Sequence, residues 1–521
     1  MTQQTDRIAN LSPEKLALLA MRFKKEKVGK PAQQMIPPRD VENRPPLSHA
    51  QQRLWFIDQL EPESAAYNMP APVRLGGKLD LTVLERSMQE IVRRHEILRT
   101  TFVMDDGQPV QLIAPTLDLP LSFIDLEHLP PVERMEEAKR LASEEGLKPF
   151  DLSTGPLLRV SLLRLCEDDH AILLTMHHII SDGWSFGIFF RELRILYHAL
   201  LTGAASPLSA LPIQYADYAH WQREWLNRSV MTEQLAYWRQ QLAGAPAMLE
   251  LATDFPRPQV QSSEGALVTL LVRQALTAAL KDLSQREEVT LFMTTLAALQ
   301  CLLHYYTGAH DIVVGTNVAN RTRPETEVLI GLFINQLVLR TDLSGDPTFC
   351  ELLKKVREVA LGAYAHQHVP FEKVVDALRP ERNLSRQPLF QVKLDLQNAP
   401  VSALQFPGFT LRHLDMEITV SHSDLMLSML DSGHYITGFL QYSTDLFTAS
   451  TAQRMLDHYM LILERVAESP TSRLSELMEM LAAVDACRRE VEEEAYKDVR
   501  LRKLKNIRRR AVGELTVQKE R

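Results

Sequence analysis

The densest chemical cluster in the sequence is His177-His178-Ile179-Ile180-Ser181-Asp182-Gly183, followed directly by Trp184 and Ser185. Histidine is the side chain whose ordinary pKa suits proton transfer near neutrality. An aspartate in a turn can hold backbone N–H groups or pair with an arginine. A glycine beside it lets another backbone, or a thin substrate, pass closely. Neighbouring strand residues point to opposite faces, so the two imidazoles do not converge easily on one metal ion. No further His or Cys cluster completes a site, and no metal is expected. One histidine of the pair is expected to face a cleft as a base while the other packs inward, and spacing alone does not choose which. A second reading stays open, in which both simply end a strand and satisfy local hydrogen bonds.

Rigid elements must hold such a pair. The apolar runs 157–165 and 171–176 read as strands, the second ending at His177, and a helical pattern runs from Ser185 to about 201. Upstream, Asp80 can cap a helix carrying Leu84, Met88 and Ile91, Asp105-Asp106-Gly107 signals a hairpin, and 132–147 reads as a helix. The stretch TGAASPLSALP marks a lobe boundary, and a Tyr/Trp-rich helix over 215–226 joins the lobes. Beyond it, helices alternate with strands such as DIVVGTNV and the hairpin around Asp431-Ser432-Gly433, ending in a helix over 448–467. The expectation is a two-lobed α/β (α+β) fold with a ligand cleft between lobes. It divides into a helix capped by Ser12 plus a proline-bearing linker (1–45), a first lobe (46–205), a second lobe (206–475) and a charged tail (476–521).

Composition bounds the function. Of 521 residues, 45% are hydrophobic and 24% charged, which excludes a mainly disordered chain. With 58 basic against 66 acidic residues the net charge is −8, so no nucleic-acid partner is expected. Cys166, Cys301, Cys350 and Cys487 lie far apart and read as reduced thiols. The apolar run 291–306 contains Thr, Gln and His and falls short of the ~20 residues that span a bilayer. The N-terminal residues have no signal-peptide pattern, so a cytoplasmic protein without membrane contact is expected. In the tail, 497–510 holds eight bases and one acid, with Leu501, Leu504 and Ile507 at every third position. It reads as a solvated charged helix or as a docking element for an acidic partner.

HHIISDGWS resembles the signature of the condensation domains of non-ribosomal peptide synthetases, in the chloramphenicol-acetyltransferase-like superfamily. The other family motifs follow in order: SHAQQRLW from Ser48, RHEILRTTF from Arg94, YADYAHW from Tyr215, IGLFIN from Ile330, HQHVPFE from His366 and RNLSRQPL from Arg382. The resemblance spans about residues 40–470 and implies a V-shaped pseudo-dimer with its active site between the lobes. It implies that His178 faces the channel and accepts a proton from, or positions, an acceptor amine attacking a thioester carbonyl. His177 and Asp182 are then structural, with Asp182 paired to Arg321 across the lobes, and the Gly183 backbone N–H helps hold the oxyanion. Asn335 becomes a candidate beside the site on the second lobe. Trp184 and Ser185 complete the turn, Arg99, Trp55 and Gln52 brace the cleft, and His95 is a satisfied core histidine.

The same resemblance implies a donor peptidyl or acyl carrier protein and an acceptor that is a second carrier protein or a free amine or alcohol. Substrates ride on 4′-phosphopantetheine, with no cofactor bound to the chain itself. The chain departs from the family pattern at Gln336, His368, Asn383 and Gln387. The turn is more like that of domains joining two L-configured residues than like D-accepting, heterocyclising or epimerising relatives. With its own Met1 and no carrier-protein segment, the chain is expected to be a freestanding, monomeric enzyme. The rival readings are an acyltransferase of the same fold using a free acceptor, and a docking module without activity.

Overall fold

A computed structural model describes residues 35–40, 44–226, 228–381, 383–397, 405–406, 409–414 and 420–491. The first half runs α1 (His49–Leu60), β1 (Asn68–Gly76), α2 (Leu81–Arg94), the hairpin β2–β3 (Thr100–Asp105, Gln108–Ile113) and β4 (Leu121–Asp125). It continues through α3 (Pro131–Leu147), β5 (Leu158–Cys166), β6 (Asp169–His177), α4 (Gly183–Leu201) and α5 (Tyr215–Trp225). The second half runs α6 (Arg228–Gln241), β7 (Gly265–Val272), α7 (Gln274–Arg286), α8 (Leu291–Thr307), β8 (Asp311–Val318) and β9 (Asn335–Asp342). Then come α9 (Phe349–Ala365), α10 (Phe371–Leu378), β10 (Val392–Gln397), β11 (Gln405–Phe406), β12 (Phe409–His413), β13 (Leu425–Asp431), β14 (Ile436–Ser443) and α11 (Ala449–Glu468). A last helix covers residues 474–491.

Each lobe is built on a six-stranded mixed sheet, β11-β12-β1-β6-β5-β4 in the first and β7-β14-β13-β10-β8-β9 in the second. Strand β6 shows why the sequence folds this way. Ile172, Leu174 and Met176 enter the main core of the first lobe, while Ala171 and Leu173 face a smaller cluster under α3 with Ala138 and Ala142. A strand buried on both faces needs a continuous apolar run, and this one has it.

Two segments from the second half cross to the first lobe. Leu329, Ile330, Leu332 and Phe333 lie between β8 and β9 in sequence, yet they pack in the first lobe's core. Strand β12 pairs antiparallel with β1, Val73 opposite His413, and so covers what would be an open sheet edge. The lobes are thus tied at places beyond their chain connection.

Several boundaries differ from the expectation. Helix α4 starts at Gly183, capped by Asp182, so the glycine and Trp184 sit inside its first turn. Tyr215, Tyr218 and Ala219 of α5 pack in the first lobe's core, which moves the joint from about 206 to beyond 226. Leu474, Leu477 and Leu481 are buried in the second core, so the body continues past 475. Part of the expected linker is fixed: Ile36 is buried and donates its N–H to Glu325 at 3.0 Å. The helix expected over 12–24 and the basic run 497–510 lie outside the described residues. Among the described residues no single helix is long and apolar enough to cross a membrane. All four cysteines are free thiols.

Candidate active site

Strand β6 ends at His177, and the chain turns through the short 3-10 segment His178–Ile180 into α4. The two histidines part here. His177 is buried, its ring edge-on to Phe150 at 6.0 Å, and its Nδ1 accepts the N–H of Ile179 at 3.1 Å. Burial pushes its pKa down to about 3, so it stays neutral at all ordinary pH.

His178 is half-buried and lines a cavity of about 280 Å³ between the lobes. Its backbone N–H donates to the Tyr67 carbonyl at 2.8 Å, and its Nδ1 lies 2.7 Å from the Ser181 carbonyl oxygen. A carbonyl can only accept, so Nδ1 carries the proton and Nε2 carries the lone pair. Among the described residues Nε2 has no hydrogen-bond partner. Burial lowers the ring's pKa, against the Ser181 carbonyl and the Asp182 charge, which favour the charged form. A neutral imidazole with its lone pair free and its ring fixed from behind is the form a general base needs.

Asp182 fixes that turn. It is buried, caps α4 through Oδ1 to the Ser185 N–H at 2.9 Å, and accepts the Ser185 hydroxyl at 2.7 Å. Its Oδ2 accepts the Phe333 N–H from the crossing segment at 3.1 Å. Arg321 comes from the second half of the chain, and its Nη2 donates to both carboxylate oxygens at 3.0 and 3.2 Å. Nη1 of Arg321 donates to the carbonyls of Thr326 and Leu329, and its guanidinium stands 4.1 Å from the Phe333 ring centre. The pair is almost fully desolvated, and every polar atom of it but Arg321 Nε has a partner, which is what keeps a buried ion pair from being costly. Ser185 Oγ also accepts the Gly331 N–H at 3.1 Å, and Trp184 Nε1 donates to the Glu327 carbonyl at 3.1 Å.

Residues 41–485 match the family model described as "Condensation domain". The chain belongs to the condensation-domain family. It is 51% identical over 434 residues to a linear gramicidin synthase of Brevibacillus parabrevis, covering 83% of this chain and 8% of that protein. Against phosphinothricin tripeptide synthetase PhsC of Streptomyces viridochromogenes the identity is 42% over 473 residues, covering 90% of this chain and 44% of the relative. The condensation domain here thus spans less than half the length of these curated relatives. Among solved structures, the X-domain from teicoplanin biosynthesis superposes with a TM-score of 0.76 at 30% identity, over 85% of this chain and 99% of that one.

In this condensation domain the other expected residues fall in different places. Asn335 lies on the cavity wall, but its amide is fully used: Nδ2 donates to the carbonyls of Gln367 and Val369 and Oδ1 accepts from the Phe371 N–H. It staples the turn before α10. Arg99 lies outside the His178 cavity, donating from Nη1 to the Ala114 carbonyl in a surface depression shared with Arg86 and Arg93. His95 is a core histidine with Glu192 at 3.0 Å. Gly183 is exposed, and beyond its chain neighbours and its own helix backbone a Cβ there would meet no atom within 4 Å.

Other residues of the cavity lining had no role assigned to them in the sequence. His49 and Arg53 reach the cavity from α1, His368 and Glu372 from the α10 turn, Lys393 from β10, and His422 from the segment before β13. His422 stacks on Tyr67 with centroids 5.3 Å apart, and burial lowers its pKa to about 4. Burial raises the Glu372 carboxyl and leaves its Oε1 without a partner. Three of the four departures from the family pattern, Gln336, His368 and Gln387, line this cavity. The available signal was Lys393 in VKLDL, a lysine inside an apolar strand run.

Proposed function

We propose that this condensation domain joins an acyl or aminoacyl thioester, carried on the phosphopantetheine of a donor carrier protein, to an acceptor amine. The new C–N bond forms as the C–S bond breaks. His178 Nε2 takes the proton from the attacking amine or its tetrahedral adduct and returns it to the departing thiolate. The observation that carries this reading is the His178 ring itself. Its Nδ1–H is spent on the Ser181 carbonyl, and its Nε2 is free in a cavity between lobes. The Gly183 N–H, at the first turn of α4, is the proposed donor to the oxyanion. Asp182, Arg321 and Ser185 hold the turn and do not touch the reacting atoms, while Asn335 and Arg99 serve the architecture.

Family membership at this level of identity supports peptide-bond formation in non-ribosomal peptide biosynthesis over other uses of the fold. The test offers loaded donor carriers with loaded acceptor carriers, free amines and free alcohols in parallel, and reads products by mass spectrometry. Amide on the acceptor carrier supports the proposal. Product only with a free amine or alcohol makes the chain an acyltransferase using a free acceptor. No product with any pair leaves it a docking module.

A further inference from the structure

One face of the second sheet forms a wall of the cavity. Along β10, Val392 and Leu394 point into the second core, so Lys393 between them points the other way. Lys393 lies opposite Gly315 of β8 and Met426 of β13, and Met426 lies opposite Gln441 of β14. Lys393, Met426, Gln441 and Asn317 all border the cavity, and Lys393 is the charged member of that row.

The lysine is 6% exposed and its ammonium has neither hydrogen bond nor ion pair among the described residues. Its nearest aromatic contact is the Phe390 ring, at 5.6 Å. Asp395 shares its strand face, but that carboxylate is taken by Asn317, backbone N–H at 3.0 Å and Nδ2 at 2.7 Å. Arg53, also on the cavity, has no hydrogen bond or ion pair within 4 Å among the described residues; its guanidinium stands 5.9 Å from the Phe371 ring centre and is felt electrostatically by Glu372. Burying a cation without a partner is costly, and here the cost shows as a lysine pulled down to about 8 by desolvation. The other buried Lys or Arg among the described residues, Arg321, is paired with Asp182. The exception faces the cavity that also holds His178.

We infer that this cavity selects a substrate bearing a free carboxylate, which Lys393, with Arg53 beside it, pairs with in the bound complex. The inference rests on the proposed acyl transfer for its setting, and on the unpartnered lysine for its content. The carboxylate could be an acidic side chain of the acceptor or donor residue, or the α-carboxylate of a free amino acid, and the chemistry is the same. A thioester-bound residue has no α-carboxylate, so the sources can be separated.

The experiment compares isosteric pairs: glutamyl against glutaminyl N-acetylcysteamine thioesters, as acceptor and as donor, and free glycine against glycinamide as acceptor. Both equilibrium binding and kcat/KM are measured, on wild type, Lys393→Met and Lys393→Arg, with thermal melts to confirm folding. The expected result is a preference for the carboxylate member of at least one pair of about tenfold or more. Lys393→Met abolishes that preference and Lys393→Arg retains it. The pair that shows it names the source. Equal binding of both members of every pair by wild type overturns the inference without reference to any variant. So does a preference that survives in Lys393→Met, and so does an equal loss for all substrates, which would mark the lysine as structural or as a contact to the carrier's phosphate. A carboxylate preference in binding with no turnover on any substrate leaves the inference standing and removes the proposed reaction.

Discussion

The turn that carries His178 and the second-lobe wall facing it treat polar groups in opposite ways. On the first-lobe wall, residues 177–185 satisfy one another and their neighbours: His177 Nδ1, His178 Nδ1, both oxygens of Asp182 and the Ser185 hydroxyl all have partners within the chain. The second wall leaves groups open, with Glu372 Oε1 and Gln336 Oε1 buried without partners and the Lys393 ammonium unpaired among the described residues. Buried polar groups are normally satisfied, so these exceptions around one cavity, which Asn68 Oδ1 of β1 joins from the first-lobe side, point to partners that arrive with the substrate. A satisfied wall can hold one atom still for chemistry, and an open wall can tell substrates apart. The same contrast sets what mutations should do on each side.

The largest effect is expected where the satisfied turn leaves the His178 Nε2 lone pair free. His178→Ala removes the Nε2 lone pair and should lower product formation by roughly 10²-fold or more while the melting temperature holds. His177→Ala, the neighbouring substitution, should do the reverse, lowering stability by opening a buried site beside Phe150. Near-wild-type turnover in His178→Ala, with authentic substrates, would break the distinction between the two rings. The rate should also be flat through neutrality, with its acid limb below the ordinary imidazole value of ~6.5, because burial lowers this group.

Next comes the brace beneath that atom. Asp182→Ala strands the Arg321 guanidinium and Arg321→Ala strands the carboxylate, each at a cost of ~3–5 kcal/mol in denaturant titrations. The double variant should cost less than the sum, since the second removal relieves an uncompensated charge. Strict additivity would mean that the contact between the halves of the chain carries no coupling.

The satisfied wall was legible in the sequence and the open wall was not, for a physical reason. The turn is local: strand, paired histidines, cap and helix follow one another, so periodicity and capping residues reveal them. Asp182 was legible as a residue that locks the turn, and the structure adds that it does so as the cap of α4. The open wall is assembled from the turn before α10, β10 and the segment ahead of β13, which only the tertiary fold brings together. The crossing segment 329–333 misled for the same reason, because chain order assigns it to one lobe and packing to the other. Asn335 illustrates the limit at one residue. It stands in a recognisable motif beside the site, yet its amide is consumed by three backbone groups of a neighbouring turn.

A third test uses pH on the fold instead of the rate. The native pKa of His177 lies near 3, below the ~6.5 of an unfolded histidine, so the unfolded chain binds more protons between those values. Its contribution to stability is therefore complete above about pH 6.5 and is lost progressively as pH falls toward 3. Urea titrations should show stability falling on acidification, and His177→Asn, which cannot titrate, should flatten that slope. An unchanged slope would place the acid sensitivity in other groups.

The smallest expected effect on the fold is also the sharpest test of what the satisfied wall leaves empty. Every other member of the turn has its polar groups or its volume engaged by the chain, whereas the space a Gly183 side chain would fill is used by nothing in it. The residue is exposed at the first turn of α4, its φ is not in the left-handed region, and alanine is the better helix former. Packing and backbone conformation therefore give no reason for glycine. Gly183→Ala should leave stability within about 0.5 kcal/mol of wild type. If the space belongs to the passing substrate, whose carbonyl oxygen must approach the backbone N–H, the added methyl should cut kcat by roughly an order of magnitude. Gly183→Ser should cut it further while the melting temperature again holds. Full activity in both variants would show that the oxyanion is held elsewhere, leaving His178 as the contribution of this wall to the chemistry.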